Sequence, residues 1–540
     1  MRLDFMTETY DYVIIGAGSA GCVVANRLSA NPTNKVLLLE AGPKDDSIWL
    51  KIPAGLSKVF MPGKMNWGYF TEPEPNLNGR KVYWPRGKTL GGSSSINGMV
   101  YLRGHPDDYN NWAQLGARGW SYDDVLHYFK KHENNMRGAN EHHGVGGELT
   151  ISDPVLDDKA GRLFMESAEN AGTPYREDLN DGVQHGVSRA QVTIKNRKRD
   201  STATAFLNPV KARSNLHIEC EALAEKIIIE NGRAVGVRFE QGGTSKEVRA
   251  NKEVILSGGV INSPQLMMIS GIGPAEHLQE HGIEVVKDLP GVGRNLQDHF
   301  YAYYNPVVKK EISWNKNLKT TVGQAVEALK YFTAKRGKLN MGAVQATAFA
   351  TVGPGATRPD VEISFRPVSL GVTEDGKTTI HDFPGVNASC SLLRPLSSGH
   401  IELASSNPKD YPKIFANYID HEMDMIVMRE GMKWIRRVFA TQPLADYVVE
   451  EFSPSADVQT DDEWDAYIRA TANTVYHPVG TCKMGSDKMA VVDPDLRVHG
   501  VDGLRVIDAS VMPAITSSNT NGPTIMIAEK GSEIIQKQNA

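Results

Sequence analysis

Apolar residues run together at the start of the chain and alternate with polar ones through its middle. Tyr12–Ile15 is an unbroken apolar segment, and KVLLLE (Lys35–Glu40) has an apolar run between its two charged ends, the pattern of strands buried on both faces. Ser19–Leu28 between them reads as a helix, so the chain opens as a β-α-β unit. A further buried strand is predicted at Glu253–Leu256, followed by a helix over Ser263–Ser270. Leu504–Ile507 predicts a strand, and Pro523–Gln536 the final helix. From about Asn305 to Ser455 the texture changes. A helical stretch at Val322–Phe332 precedes alternating segments such as VEISFRPV and GHIELAS, the period of half-buried antiparallel strands.

The expected fold class is therefore α/β: a doubly wound nucleotide-binding domain with a second domain built on an antiparallel sheet packed with helices. The cofactor domain is expected to be discontinuous, over 1–155, 200–304 and 456–540. Segments 156–199 and 305–455 are expected to form the substrate domain. The 540 residues exceed one compact core.

Composition narrows the function classes. The net charge of −5 gives no reason to expect nucleic acid or an anionic membrane as partner. The longest apolar stretch, EVILSGGVINSPQLMMISGIG (Glu253–Gly273), is broken by Gly, Ser, Asn and Pro. It is no run of about 20 apolar residues, so no membrane-spanning helix is expected, while peripheral membrane contact stays open. Cys22, Cys220, Cys390 and Cys482 lie far apart without a CxxC pair. That argues against a zinc site or disulfide framework and for a reducing cytoplasm. Cys482 reads as a packing residue. His142 and His143 have no acid or Cys cluster to complete a metal site and read as a solvated loop. KNRKR (Lys195–Arg199) reads as a loop at the active-site entrance. The start, MRLDFMTETY, lacks a signal-peptide pattern, and Met6 offers an alternative start.

The first motif with chemistry is GAGSAG, with Gly16, Gly18 and Gly21 between the opening strand and helix. The first Gly permits the turn, the second admits a pyrophosphate, and the third lets helix and strand pack. Ser19 and Ala20 belong to the same phosphate loop. Glu40 ends the second strand, beside Ala41, where an acid would bond a ribose hydroxyl. This predicts a dinucleotide site rather than a Gly-rich turn. An acid at position 40 disfavours NADP but does not separate NAD from FAD.

Further motifs separate them. GKTLGGSSSIN (Gly87–Asn97) and GVINSPQLMMISGIG (Gly259–Gly273) resemble the two signatures of the glucose–methanol–choline oxidoreductase family. PGVGRNLQDH (Pro290–His299), YHPVGTCKMG (Tyr476–Gly485), GLRVIDASVMP (Gly503–Pro513) and SNTNGPTIMIAEK (Ser518–Lys530) match in the same order. Val260 departs from the small residue usual there. The chain looks most like the choline dehydrogenase-like and aliphatic alcohol dehydrogenase branch. HHGVGGELTISD (His142–Asp153) and WPRGKTLGGSSSINGMVYLRGH (Trp84–His105) support that branch.

The resemblance implies FAD. It places Gly91, Gly92 and Ser93, with exposed N–H groups, and then Asn97, Gly98, Met99 and Val100 along the flavin ring. Ala224 is implied as a backbone contact to adenine, and Asp508 and Ala509 lie near the ribityl and phosphate chain. Some relatives link FAD through a His just before that Asn. The position here is Ile96, so noncovalent FAD is expected.

Alcohol oxidation needs a base for the hydroxyl proton and a group that holds the oxygen, while the flavin takes the hydride. A His suits the first role, and the resemblance singles out His477 in YHPVGT. Its implied partner is Asn519, which donates and accepts hydrogen bonds but is no base. Asn521 suits a capping role at the final helix, and the N–H groups of Asn521 and Gly522 are expected to face the flavin pyrimidine. Phe365, Trp67 and Tyr69 are candidates for an apolar channel, and Glu362 for an ammonium group. The expected reaction is oxidation of a primary alcohol, aliphatic or choline-like, with a quinone or other acceptor. An oxidase making hydrogen peroxide and a non-redox hydroxynitrile lyase are the alternatives.

Overall fold

The computed structural model describes residues 8–154, 158–342, 344–372 and 378–539. The reading of the first residues as lacking a signal peptide lies largely outside them. The chain opens with β1 (Glu8–Ile15), α1 (Ser19–Leu28) and β2 (Val36–Leu39). α2 (Lys159–Asn170) and β3 (Gly186–Ser188) come next among the elements that shape the site. β4 (Leu216–Glu219), β5 (Ala222–Glu230), β6 (Arg233–Gln241), β7 (Thr244–Leu256) and α3 (Gly259–Ile269) follow. The middle holds β8 (Phe300–Val308), α4 (Thr321–Ala334), β9 (Ala346–Ala350), β10 (Val361–Arg366) and β11 (Asn387–Leu392). The chain then runs through α5 (Glu422–Phe439), β12 (Val448–Ser453), β13 (Asn473–Thr474), β14 (Leu504–Val506) and α6 (Asn521–Gln538).

Two seven-stranded sheets organise these elements. The first has the order β4-β2-β1-β7-β6-β5, with β14 also on β7. β4, β2, β1, β7 and β14 are parallel, whereas β7, β6 and β5 form an antiparallel meander. Val13, Ile14 and Leu38 at its centre are fully buried, which is why their sequence is unbroken apolar. The second sheet is antiparallel, in the order β12-β8-β11-β10-β9-β3, with β13 also on β8. β8 runs across the 304/305 division expected from sequence, and β13, from the 456–540 segment, pairs with it.

The turn from β1 into α1 depends on glycine at one point above all. A Cβ on Gly21 would lie 1.9 Å from the Gly16 carbonyl oxygen, so no other residue lets the helix seat on the strand. α3 starts at Gly259, four residues before the expected start, and passes through Pro264. Pro264 has no N–H for the Val260 carbonyl. The Thr481 hydroxyl donates to that carbonyl instead, at 2.6 Å, and this replacement lets the helix continue.

The second sheet has one apolar and one polar face. Ile363 and Phe365 of β10 point to the helical side, where Phe365 stacks on Phe164 of α2 at 4.7 Å and lies near Phe439 of α5. Tyr301 and Tyr303 of β8, with Glu362, Ser364 and Arg366 of β10, point the other way, into a large cavity. Strand alternation alone produces this division.

Candidate active site

The cavity is about 1290 Å³ and is walled by both sheets, beyond the roughly 300–1,000 Å³ of a site for a drug-sized ligand. Gly16, Gly18, Ser19, Ala20, Glu40 and Ala41 line one end. Glu40 Oε2 accepts from Ala17 N–H at 3.0 Å and Oε1 from Gly42 N–H at 2.8 Å. Each oxygen keeps a lone pair for a further donor. Burial pushes the Glu40 carboxyl up to about 7, against the lowering effect of those two N–H groups. Ala224 lies on the same wall, as do Asp508 and Ala509. Asp508 is buried and accepts from Gly259 N–H and the Ser263 hydroxyl, which ties the β14 end to the start of α3.

Gly92, Ser93, Asn97, Gly98, Met99 and Val100 line the middle of the cavity. The expectation of exposed N–H groups fails at the two glycines. Gly91 N–H donates to Ala17 O at 2.7 Å and Gly92 N–H to Thr89 O at 2.8 Å. Gly91 and Gly21 are absent from the cavity wall. Their role is to dock loops: a Cβ on Gly92 would come within 2.7 Å of Gly18 Cα. The two Gly-rich motifs are thus pressed together, backbone on backbone. Asn97 is held by Arg199, whose Nη1 donates to the Asn97 side-chain oxygen and carbonyl, both at 2.7 Å. Arg199 therefore does not belong to an exposed entrance loop. It is buried, and burial lowers its guanidinium to about 9. Lys195, Asn196 and Lys198 of KNRKR are exposed, and Arg197 is half-buried.

His477 and Asn519, 42 residues apart in sequence, meet on the cavity wall. Asn519 Nδ2 lies 3.0 Å from His477 Nε2. The other ring nitrogen of His477, Nδ1, lies 3.1 Å from Nδ1 of His299. His299 Nε2 lies 3.0 Å from the Leu393 carbonyl. A carbonyl only accepts, so His299 Nε2 carries the hydrogen and its Nδ1 is an acceptor. His477 Nδ1 must then donate, and His477 Nε2 is left with a lone pair, which receives Asn519 Nδ2–H. One chain of hydrogen bonds thus assigns the tautomer of His477. Its basic nitrogen is Nε2.

The backbone of His477 is anchored as firmly. His477 N–H donates to Asp298 Oδ1 at 2.8 Å, while Thr474 and Tyr418 donate to Oδ2. Tyr476, just before it, has φ +68°, a strained conformation for an aromatic residue. Arg86 holds the Tyr476 carbonyl at 2.5 Å. Burial, then His299 and Arg86, keep the His477 imidazole well below its ordinary range. Burial lowers His299 to about 4. Both rings are neutral near pH 7, as the tautomer chain requires. Asn519 Oδ1 is buried without a protein partner, an acceptor available to a hydroxyl in the cavity.

The sequence assigns no individual role to Asp298, His299 or Arg86, and it places Arg199 in an entrance loop. His299 ends PGVGRNLQDH, and that motif is its only signal in the sequence. Asn521 does not take the expected capping role. It is the first residue of α6 and makes no cap; Thr520 occupies the cap position without a side-chain bond. The Asn521 side-chain oxygen instead accepts from the Ser19 hydroxyl at 2.7 Å, because α6 starts directly over GAGSAG. Asn521 lines the cavity and Gly522 does not; a Cβ on Gly522 would meet the Leu102 carbonyl at 2.9 Å.

Of the channel candidates, Trp67 lines the cavity. Phe365 and Tyr69 are core residues. Glu362 is buried on the cavity wall rather than solvent-facing, and burial pushes its carboxyl up to about 7. His143 is no solvated loop residue. It is buried between Glu133 Oε1 at 2.9 Å and Asp178 Oδ2 at 2.6 Å, in a network with Arg103, and these carboxylates raise it against the effect of burial. Among the described residues no group of His, Cys, Asp and Glu is placed to hold a metal ion. Cys482 is fully buried against Met267.

Comparison with known proteins settles the family. The GMC oxidoreductase family model matches in two parts, its N-terminal domain over residues 10–301 and its C-terminal domain over 395–528. The chain belongs to the GMC oxidoreductase family. It is 43% identical to human mitochondrial choline dehydrogenase, over 99% of this chain and 91% of that protein. It is also 43% identical to an oxygen-dependent choline dehydrogenase of Rhizobium rhizogenes, over 97% of this chain and 95% of that one. Among solved structures, pyridoxine 4-oxidase from Mesorbium loti superposes with TM-score 0.88 at 28% identity, covering 98% of this chain and 99% of that one. A formate oxidase of Aspergillus oryzae superposes with TM-score 0.91 at 27% identity, covering 98% and 99%.

The protein is an FAD-dependent oxidoreductase acting on a CH–OH donor. Its own cavity fits that cofactor. The Gly92–Gly18 contact leaves a wall of backbone with no side chain at its centre, Glu40 stands at the end lined by GAGSAG, and Ile96 is buried with Leu50 and Val59. Ile96 offers no nucleophile for a covalent link, in keeping with noncovalent FAD.

Proposed function

We propose that this enzyme oxidises a primary alcohol to its aldehyde, with His477 as the base. The observation that carries the reading is the hydrogen-bond chain from Leu393 through His299 to His477, which directs the basic Nε2 toward Asn519. Bound FAD supplies the acceptor for the hydride. His477 Nε2 takes the hydroxyl proton, and the Asn519 amide positions the oxygen. A neutral His477 below its ordinary range is ready to act as base at neutral pH. Segments 1–155, 200–304 and 456–540 carry the cofactor wall in this reading. Segments 156–199 and 305–455 carry the substrate wall, with β8 and β13 shared between the two and His477 and Asn519 contributed from 456–540.

An aliphatic alcohol is the favoured substrate. Ile52, Leu56, Phe60 and Leu318 give the cavity an apolar lobe suited to a hydrocarbon chain. Glu362 is the feature that favours a choline-like substrate, and the names of the relatives point the same way. Arg366 stands on the same face of β10, and its positive charge opposes an ammonium group there. A quinone or comparable acceptor, met at a membrane face of a reducing compartment, completes the turnover. The oxidase reading is kept alive by the oxidases among the structural neighbours. The test compares 1-octanol, choline and glucose as anaerobic reductants of the bound flavin, then repeats turnover with a soluble quinone and with oxygen. Fast reduction by 1-octanol with quinone turnover supports the proposal. Preference for glucose, or peroxide equal to substrate consumed in air, overturns it.

A further inference from the structure

α4 (Thr321–Ala334) is an amphipathic helix turned inside out. Its sole buried residue, among those described, is the charged Glu327, which accepts from Lys338 N–H at 2.7 Å and from Lys330 Nζ at 2.9 Å. Its larger aliphatic residues and Phe332 face away from the protein. Val322 is 75% exposed, Leu329 63% and Phe332 59%, with Val326 also exposed. At 3.6 residues per turn these four share an arc of roughly 120°. Such a stripe normally packs on a core, and here none of the described residues covers it.

The position of the stripe gives it meaning. Thr321, Gln324, Ala325 and Ala328, on the adjoining flank of α4, line the cavity. So do Trp49 and Met61 of the facing segment, both exposed as well. The cavity therefore opens between apolar lips. Charge surrounds them. From Lys309 to Lys338 there are eight Lys or Arg against two Glu, in a chain whose net charge is −5. One of those two Glu is the buried Glu327. The Lys195–Arg199 hairpin extends the basic rim, because Tyr331 of α4 donates to the Arg197 carbonyl at 3.1 Å. Whole-chain charge gave no reason to expect an anionic surface as partner, but its local distribution does.

We propose that α4 and the Trp49–Met61 lip dock on an anionic phospholipid bilayer. The apolar stripe enters the acyl boundary while the basic rim meets the headgroups. No helix among the described residues is long and apolar enough to cross a membrane, so the contact is interfacial. Docking sets the cavity mouth on the membrane. A long-chain alcohol or a quinone then passes between bilayer and active site without crossing water. This inference rests on the proposed function only for the identity of those molecules.

The test uses the FAD-loaded enzyme in a flotation assay with two kinds of vesicle, phosphatidylcholine alone and phosphatidylcholine with phosphatidylglycerol. Binding is expected to the anionic vesicles and to weaken as salt is raised. The triple variant Val322→Glu, Leu329→Glu, Phe332→Glu is expected to lose at least about tenfold in bound fraction, with unchanged turnover of alcohol by a soluble dye. Lys335→Glu with Arg336→Glu is expected to weaken binding in the same direction. Failure to bind anionic vesicles overturns the inference, as does a triple variant that binds like wild type. A wild-type dimer that the triple variant splits, without vesicle binding, also overturns it and assigns the stripe to a second copy. Dye turnover reads the alcohol chemistry separately, so either reading can fail alone.

Discussion

The two walls of the cavity are built on opposite principles. The cofactor wall is backbone: Gly18 against Gly92, with Gly21 seated on Gly16 behind it, in contacts so close that one added carbon has no place. The substrate wall is side chain: Tyr301 and Tyr303 from β8, Glu362 and Arg366 from β10, and His477 and Asn519 from the two loops that meet them, with His299 behind His477. The first wall is broken by adding atoms, the second by removing them. A planar cofactor used in every turnover demands a fixed shape, whereas proton transfer demands particular nitrogen and oxygen atoms in one arrangement.

The sharpest break is expected from Gly21→Val. The new Cβ lies 1.9 Å from the Gly16 carbonyl in the unrelaxed backbone. α1 must then move off β1, and the purified protein is expected to carry essentially no flavin, read from its visible absorbance. A Gly21→Val enzyme with full flavin would show that the backbone wall is softer than its contacts imply.

His477→Ala should do the reverse and keep its flavin. Anaerobic reduction by alcohol is expected to slow by about 10²-fold or more, the scale of a lost general base. The neutral state of His477 adds a pH expectation. Wild-type reduction should hold its rate as pH falls from 8 to 6.5, with the acid limb below 6.5, since the imidazole titrates well below its ordinary range. Stopped-flow reduction across that range would detect a limb at or above 6.5.

Smaller effects are expected from the partners of that ring. Asn519→Ala removes oxygen positioning but not the base, and His299→Ala removes the acceptor that sets the tautomer. Each is expected to slow reduction by roughly tenfold, less than loss of the base. His299→Gln should recover much of the rate, because a Gln oxygen can accept from His477 Nδ1–H while its amide donates to Leu393. No recovery with Gln would leave His299 a packing residue.

The smallest effect concerns stability. Glu362 is held near 7 in the folded protein against an ordinary 4.5, so between those values the folded form keeps a proton that the unfolded chain has lost. Stability falls as pH rises through this window. Thermal midpoints should therefore drop by a few degrees from pH 5 to 7.5. Glu362→Gln should make that slope shallower without abolishing it, because Glu40 titrates in the same window. An unchanged slope would mean that Glu362 is hydrated and ionised.

The legibility of the two walls differed for the same reason. GAGSAG, β1, α1 and Glu40 are local: turn, helix and strand lie within about 30 residues, and each glycine is required by its immediate neighbours. His477 and Asn519 were recognisable through motif resemblance, but their meeting was not in the spacing. Asn521 reads locally as a cap, and only the placement of α6 over the phosphate loop sends it to Ser19. The helix expected from Ser263 begins earlier, at Gly259, and only Thr481, more than 200 residues away, lets α3 pass through Pro264.

What the sequence determined alone was whatever covalent neighbours decide: the buried parallel strands, the glycine turn, the acid at its end and the absence of a nucleophile at position 96. The tertiary structure decided what depends on groups brought from afar. It set which nitrogen of His477 is basic, turned Glu362 into the cavity and Phe365 into the core, buried Arg199 and His143, and faced the apolar stripe of α4 outward. Periodicity establishes that a helix or strand has two faces. Which face meets the core, the cavity or the surroundings is a property of everything packed around it.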